Sequence, residues 1–330
     1  MGEGGVARAA VAGQLVFAKT FIGSANDSAI EMMPAKNTGA CQLGSSGAMA
    51  NSTKLPAKKI PAITSLMTVM GPPADNPTGQ TCRVSATASY LEAWGLTADA
   101  EPVVTPTSEV TFVHRADGTA AVLRVAPIPE ELRGGALMAW WPGTASARVL
   151  EHLGPAVLLE RAEGPRSLAA LAAEGDAGDD EATRVLAETA LRLHAKPDGV
   201  VRTVPLRRWF SDLLEASDDS YADARRTALR LLDDPWDEVV LHGDIHHGNV
   251  LDFGDERTPR WKAIDPKALL GESCFDYANL LCNPHETYEA NHESSRLTRR
   301  LAVVASATGM PADRLRDWHT AWHALSQLWS

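Results

Sequence analysis

The chain reads as an α+β protein, on three observations. Between residues 103 and 162, apolar residues fall in short runs separated by turn signals, as β-hairpins require. From Ser167 onward the apolar spacing becomes helical. Within that helical half, one stretch reverts to short apolar runs, Val239-Val240-Leu241 and Val250-Leu251, flanking the polar loop His242-Gly243-Asp244-Ile245-His246-His247-Gly248-Asn249. At 330 residues and 45% hydrophobic content, the chain is long enough to bury two sizeable cores.

Taken in order, residues 1–85 are rich in Ala, Gly, Ser, Thr and Pro, lack sustained periodicity and include the turn-rich Gly71–Gly79. They are expected to be a poorly ordered extension, with a true start nearer Met70; a small extra domain is the alternative. A secretory signal is not expected, because Gln14 and Lys19 interrupt the weakly apolar Val11–Phe21. The myristoylation pattern fails at Val6. Thr87–Trp94 reads as a short helix or strand. Val103–Val113 fits a hairpin turning at Thr105-Pro106-Thr107-Ser108, and the turn at Ala116-Asp117-Gly118 leads to a strand over Ala120–Val125. A helix follows over Glu130–Trp141. Then comes a strand over Ala156–Ala162, stopped by Glu163-Gly164-Pro165. Helices are expected over Asp180–His194, Leu206–Leu214, Tyr221–Asp233, Leu297–Ala307 and Asp313–Trp329. Asp179, Asp180 and Glu181 suit the positive end of the first of these, and His194 closes it in a structural role. Trp209 and Phe210 are expected in the core. Trp318, Trp322 and Trp329 form an apolar stripe on the last helix.

The polar loop carries the chemistry. Asp244 and Asn249 lie five residues apart between two candidate strands, and Trp261-Lys262-Ala263-Ile264-Asp265 reads as a strand ending in a second carboxylate. Phosphoryl transfer needs such a set: a carboxylate to orient the attacking hydroxyl, and an amide oxygen with a carboxylate to hold Mg²⁺. A zinc hydrolase would use the same histidines, but it leaves Asn249 and Asp265 unexplained. A plain polar turn leaves the whole series unexplained. Asp252-Phe253-Gly254 spells a kinase metal motif, yet it follows Asp244 by eight residues. Asp252 is better placed at the end of a strand, with Gly254–Pro259 as the hairpin turn leading to Asp265.

At these residues the chain resembles the aminoglycoside and hydroxyurea antibiotic resistance kinases, the family of the streptomycin 6-phosphotransferases. The resemblance runs from about Tyr90 to the C-terminus. Its most specific parts are IPEELRGGALMAWWPG (Ile128–Gly143), LHGDIHHGNVLDFGD (Leu241–Asp255) and WKAIDPKALLGESCFDYANLLCNP (Trp261–Pro284). It implies a bilobal, protein-kinase-like fold: a nucleotide-binding N-lobe over 86–162 and a C-lobe with catalytic loop and acceptor site over 163–330. It implies ATP and Mg²⁺ as cofactors and an aminoglycoside, streptomycin above all, as acceptor; hydroxyurea or another small alcohol is the alternative. Asp244 is then the catalytic base and Asn249 and Asp265 the magnesium ligands. His242 and Asp276 support the loop, and His246 and His247 face the incoming acceptor. The nucleotide's phosphates fall to Arg124, paired with Glu131, and its adenine edge to backbone groups near Glu160 and Ala162. The chain departs from the kinase pattern in placing Arg124 where a lysine is usual. Arg is not a conservative replacement there, and a weakened or inactive nucleotide- or drug-binding remnant is the alternative it raises. The phosphate-covering turn is Thr-Pro-Thr-Ser rather than glycine-rich, so hydroxyls and backbone N–H groups would do that work. The family also continues into a further helix beyond the position of Ser330.

Charge and cysteines narrow the partners. The formal net charge is −11. Of 31 basic and 42 acidic residues, seven and four lie in residues 1–90, leaving 24 and 38 in the remainder. Such a surface disfavours nucleic acid and suits a cationic substrate. No apolar run reaches the length of a membrane span. Cys41, Cys82, Cys274 and Cys282 form no CxxC pair, so reduced thiols and a cytoplasmic location are expected. The oligomeric state is not legible.

Overall fold

The computed structural model describes residues 86–196, 200–284, 291 and 293–329. The expected N-terminal extension, 1–85, lies outside the described residues. The chain enters through helix α1 (Ala86–Ala93), followed by strands β1 (Thr97–Ala98), β2 (Val103–Val104), β3 (Glu109–His114) and β4 (Ala120–Val125). Helix α2 (Pro129–Trp140) precedes strands β5 (Val149–Leu153) and β6 (Ala156–Glu160). These six strands form one antiparallel sheet, ordered β1-β3-β4-β6-β5 with β2 paired to β3.

The second part contains α3 (Leu168–Ala172), α4 (Asp176–Leu193), β7 (Val204–Pro205), α5 (Leu206–Trp209), α6 (Ser211–Glu215) and α7 (Ala222–Asp233). Strands β8 (Val239–Leu241), β9 (Val250–Asp252), β10 (Trp261–Ala263) and β11 (Leu269–Gly271) follow. Helices α8 (Asp276–Leu281), α9 (Ser294–Thr308) and α10 (Ala312–Trp329) complete it. Here β9 and β10 form an antiparallel pair, and β7-β11-β8 a small mixed sheet. The α+β class and the order sheet-then-helices agree with the sequence reading.

Strand periodicity decides what faces the cleft. On β4, Ala121, Leu123 and Val125 point to a small core beneath α1, where Tyr90, Leu91 and Trp94 also pack. Val122 points the other way, into the large core shared with Leu137 of α2. Arg124 is even-numbered like Val122, so it is carried on the face that α2 covers. Helix α2 begins with Pro129 in its first turn and Glu130 and Glu131 near its positive end. Two glycines let it settle deeply. A Cβ on Gly134 would lie 2.4 Å from the Pro266 carbonyl oxygen, and one on Gly135 2.9 Å from Val157 Cγ2.

Two differences from the sequence reading have local causes. The helix expected over Leu206–Leu214 is broken at Phe210, whose backbone (φ −85°, ψ 5°) leaves the helical run. Its ring is thereby buried against Phe275 and Trp318, at centroid distances of 5.6 and 5.8 Å. Trp209 is only half-buried and meets Trp329 edge-on. The strand expected to end in Asp265 stops at Ala263. Asp265 itself sits at φ 60°, a left-handed backbone that Asp tolerates better than most residues.

Candidate active site

The loop between β8 and β9 is held from below by one carboxylate. Asp276, at the start of α8, accepts from the backbone N–H of His242 at 2.9 Å and of Gly243 at 2.7 Å. His194 Nε2 donates to the same carboxylate at 3.0 Å, which gives the helix-closing histidine its structural role. Gly243 is obligatory here: its φ is 82°, and a Cβ would sit 2.7 Å from Leu269 Cγ. His242 Nε2 donates to the Ile264 carbonyl at 2.8 Å, while Nδ1 accepts from the Asp244 N–H at 3.2 Å. Those partners define a neutral imidazole with its proton on Nε2. Burial lowers the pKa of this ring in spite of the nearby Asp276 and Asp244 carboxylates.

Asp244 is thereby presented with its side chain 17% exposed. Its Oδ1 accepts from Asn279 Nδ2 at 2.7 Å, and its Oδ2 from Asn249 Nδ2 at 3.2 Å. Asn249 Nδ2 also donates to the Asp244 carbonyl at 2.9 Å. The Asn249 amide therefore has its nitrogen fixed on Asp244 and its oxygen turned to the other side. His246 Nε2 stands 3.9 Å from Asp244 Oδ1, so this histidine lies beside the carboxylate. His247 instead turns inward, and among the described residues neither ring nitrogen has a hydrogen-bond partner. Burial, then the Arg300 charge, pushes its pKa well below the ordinary histidine value.

Of the residues expected on the nucleotide side, Arg124 and Glu131 come together beside Asp265. Arg124 is ion-paired with Glu131 and, at 2.9 Å, with Asp265 Oδ1. Burial alone would raise the Asp265 pKa; the charges of Arg124 and Lys267 outweigh it and hold the carboxyl below its usual value. Glu160 is committed to structure. Its N–H donates to the Arg148 carbonyl at 2.9 Å, and its carboxylate accepts from the Arg148 N–H at 2.8 Å and pairs with Lys262. Ala162 lies two residues on, half-buried against the large core. In the turn before β3, Thr105 and Ser108 bond each other through their hydroxyls at 3.0 Å, and Thr105 Oγ1 accepts from the Ser108 N–H at 2.9 Å. The groups expected to cover phosphates are thus engaged inside the turn.

Asp252 has the structural role the hairpin reading gave it. It accepts from the N–H of Gly254 at 2.8 Å and of Arg260 at 2.9 Å, and from Arg166 Nη1 at 3.0 Å. The hydrolase reading finds no ligand set: among the described residues, no group of three or more His, Cys, Asp or Glu is arranged to hold a metal. Cys274 and Cys282 are free and buried, and burial pushes the Cys282 thiol up to about 12. Among the described residues, no helix is long and apolar enough to cross a membrane.

Three participants were missed from sequence. Asn279 is one helical turn after Asp276, so both lie on the face of α8 that meets the loop, a spacing that would have flagged it. Trp322 Nε1 donates to Asn279 Oδ1 at 3.1 Å, which links the last helix to Asp244. Lys267 is buried beside Asp265, with Nζ 2.9 Å from Glu130 Oε1. Burial opposes the charge of Lys267, but Asp265, Asp244 and Glu130 together raise its pKa.

Comparison with known proteins identifies the family and the fold. The family model for aminoglycoside/hydroxyurea antibiotic resistance kinases matches residues 93–330. A streptomycin 3''-kinase from Klebsiella pneumoniae is 42% identical over 245 residues, covering 72% of this chain and 90% of that protein. A streptomycin 6-kinase from Streptomyces griseus is 33% identical over 258 residues, covering 73% and 81%. A hydroxyurea phosphotransferase from Kitasatospora aureofaciens is 32% identical, covering 70% and 68%. Among solved structures, an aminoglycoside phosphotransferase from Streptomyces rimosus shares the fold, with TM-score 0.51 and 20% identity over 73% of this chain and 97% of that one. On these grounds the chain belongs to the aminoglycoside/hydroxyurea antibiotic resistance kinase family and is a phosphotransferase of protein-kinase-like fold.

Proposed function

We propose that the chain transfers the terminal phosphoryl group of ATP to a hydroxyl of streptomycin, with Mg²⁺ at the transfer site. The observation that carries this reading is the meeting of two segments: the loop on which Asn249 is bonded to Asp244, and the turn of Asp265, whose preceding residue Ile264 donates its N–H to the Asn249 carbonyl at 2.9 Å. The names of the streptomycin kinases at 42% and 33% identity support the acceptor, and the higher value favours the 3'' position over position 6. The hydroxyurea phosphotransferase makes hydroxyurea the second acceptor to test.

The donor set fits magnesium. An amide oxygen and a carboxylate oxygen are hard ligands, and this ion is commonly held by one or two carboxylates together with substrate phosphates. Asn249 Oδ1 and Asp265 would hold it, and when bound it supplies charge neutralisation at the phosphoryl oxygens. Asp265 releases its contact with Arg124 to do so, leaving the guanidinium to face the nucleotide with Glu131 behind it. Asp244 accepts the hydrogen bond of the acceptor hydroxyl through its exposed edge, while Asn279 and Asn249 keep the carboxylate oriented. Residues 86–162 then form the nucleotide side, with Ala162 and the Glu160 carbonyl at the adenine edge, and residues 163–330 the acceptor side.

The Arg124–Asp265 contact is also what a nucleotide-binding protein without transfer activity would keep. Phosphate transfer from ATP with Mg²⁺ decides between them, assayed with streptomycin and with hydroxyurea, on the full chain and on Asp244→Ala. Streptomycin-dependent transfer that disappears in the variant is the expected result, and NMR of the product identifies the hydroxyl. ATP binding without transfer to either acceptor would overturn the reading in favour of the inactive one.

A further inference from the structure

The cation that a kinase needs at its terminal phosphates has two candidates in this cleft, and only Arg124 stands where a kinase strand places one. The second comes from a different segment. Glu130 and Glu131 are consecutive in the first turn of α2, and each is ion-paired with one buried base: Glu131 with Arg124, and Glu130 with Lys267 at 2.9 Å. Both bases stand close to Asp265. Arg124 touches it directly at 2.9 Å, and Lys267 follows it by two residues. The main chain of Lys267 is locked to the catalytic loop, its N–H donating to the His242 carbonyl at 2.7 Å. The first carbon of its side chain lies 3.2 Å from where a Gly243 Cβ would be, so the stem runs beside the residue preceding Asp244.

A buried lysine whose sole purpose was to pair with Glu130 would add little to stability, because desolvation of two charges offsets most of their attraction. A buried ammonium between the loop of Asp244 and the turn of Asp265 has another use: compensating a polyphosphate. Resting on the kinase reading above, we propose that Lys267 is a phosphate-contacting residue of the site. Its ammonium, held by Glu130, binds the terminal phosphoryl oxygens of the nucleotide and shares the phosphates with Arg124. The arrangement offsets the departure at Arg124, since two cations from two segments do the work of one lysine.

The test is calorimetric binding of ADP and of the non-hydrolysable analogue AMP-PNP, with Mg²⁺, to the full chain and to Lys267→Met, Lys267→Arg and Glu130→Gln. Loss of a charge-assisted contact to the last phosphate is expected to weaken AMP-PNP roughly tenfold or more in Lys267→Met. ADP should weaken much less, and Lys267→Arg should recover most of the difference. Equal affinities in wild type and Lys267→Met would overturn the proposal. So would an equal loss for both nucleotides that Lys267→Arg does not restore, which is the behaviour of a structural lysine. If Lys267→Met does not fold, Glu130→Gln decides. It removes the holder without altering the ammonium, and an unchanged AMP-PNP to ADP ratio overturns the proposal. Wild type that binds neither nucleotide would instead overturn the kinase reading beneath it, and the proposal with it.

Discussion

The Asp244 carboxylate, the proposed base, is oriented by two amides, and one of those amides is itself oriented by a tryptophan on the last helix. Asn279 Nδ2 donates to Asp244 at 2.7 Å and Asn279 Oδ1 accepts from Trp322 at 3.1 Å. A hydrogen bond to an ionised group contributes about 1.5–3 kcal/mol, so Asn279→Ala is expected to lower kcat by roughly ten- to a hundredfold. Trp322→Phe keeps the ring among Phe275 and Trp329 but loses the donor to a neutral acceptor, so its effect should be several-fold smaller. Steady-state kinetics of streptomycin phosphorylation, alongside thermal melting, would check the ranking. An Asn279→Ala enzyme with wild-type kcat, or a tryptophan variant worse than the asparagine one, would break the chain of influence from α10 to Asp244.

Helix α2 is an element whose position matters more than its propensity. Gly134→Ala gains about 1 kcal/mol of helix preference. Against that stands a Cβ placed 2.4 Å from the Pro266 carbonyl oxygen, a contact that must be relieved by moving the helix or the turn after Asp265. Overpacking of this kind costs about 1–3 kcal/mol, so the clash wins. The variant should melt lower and turn over more slowly, because Glu130 and Glu131 move with the helix; a higher melting temperature would mean that α2 has room to spare. A second element pair, α4 and α9, is pinned by Asp179, which accepts from Arg296 at 2.7 Å and from Arg299 at 2.8 Å. Arg300, fully buried beside it, has its pKa lowered by burial to about 10. Burial alone would raise the Asp179 pKa, but Arg296, Arg300 and Arg299 outweigh it and lower it from 3.8. With the folded value below the unfolded one, the carboxylate stabilises the fold above pH about 3.8 and loses that contribution as pH falls further. Asp179→Asn is therefore expected to cost about 3–5 kcal/mol at pH 7, with the deficit narrowing only below pH about 4. Melting curves from pH 7 down to 3 would show it, and a deficit that already narrows between pH 7 and 5 would assign the effect to another group.

Across the whole molecule, what could be read ahead was what is local in the chain. Asp244, Asn249 and Asp265 lie in one stretch whose alternation and chemistry point the same way, and Arg124 follows from the period of its strand. Asn279 and Trp322 could not be reached so directly, because they act across 35 and 43 residues through packing that no periodicity encodes. Lys267 and the covered face of α2 depend likewise on where α2 docks, and the break at Phe210 on an aromatic cluster assembled from α6, α8 and α10 neighbours. Net charge is the opposite case, since it needs no structure. A chain at −11 attracts a polycation over a distance set by the Debye length and repels ATP. Raising NaCl from roughly 20 to 300 mM should therefore raise the KM for streptomycin by roughly threefold or more, acting through the association step. The KM for Mg-ATP should stay level or fall, since screening removes a repulsion. Hydroxyurea, which is uncharged, serves as the internal control: its KM, if it is accepted, should not follow salt. A streptomycin KM that is flat with salt would show that recognition rests on short-range contacts inside the cleft and that the acidic surface has no part in capture. Parallel rises for both acceptors would instead locate the salt effect in the catalytic machinery, at the Arg124, Glu131 and Asp265 cluster.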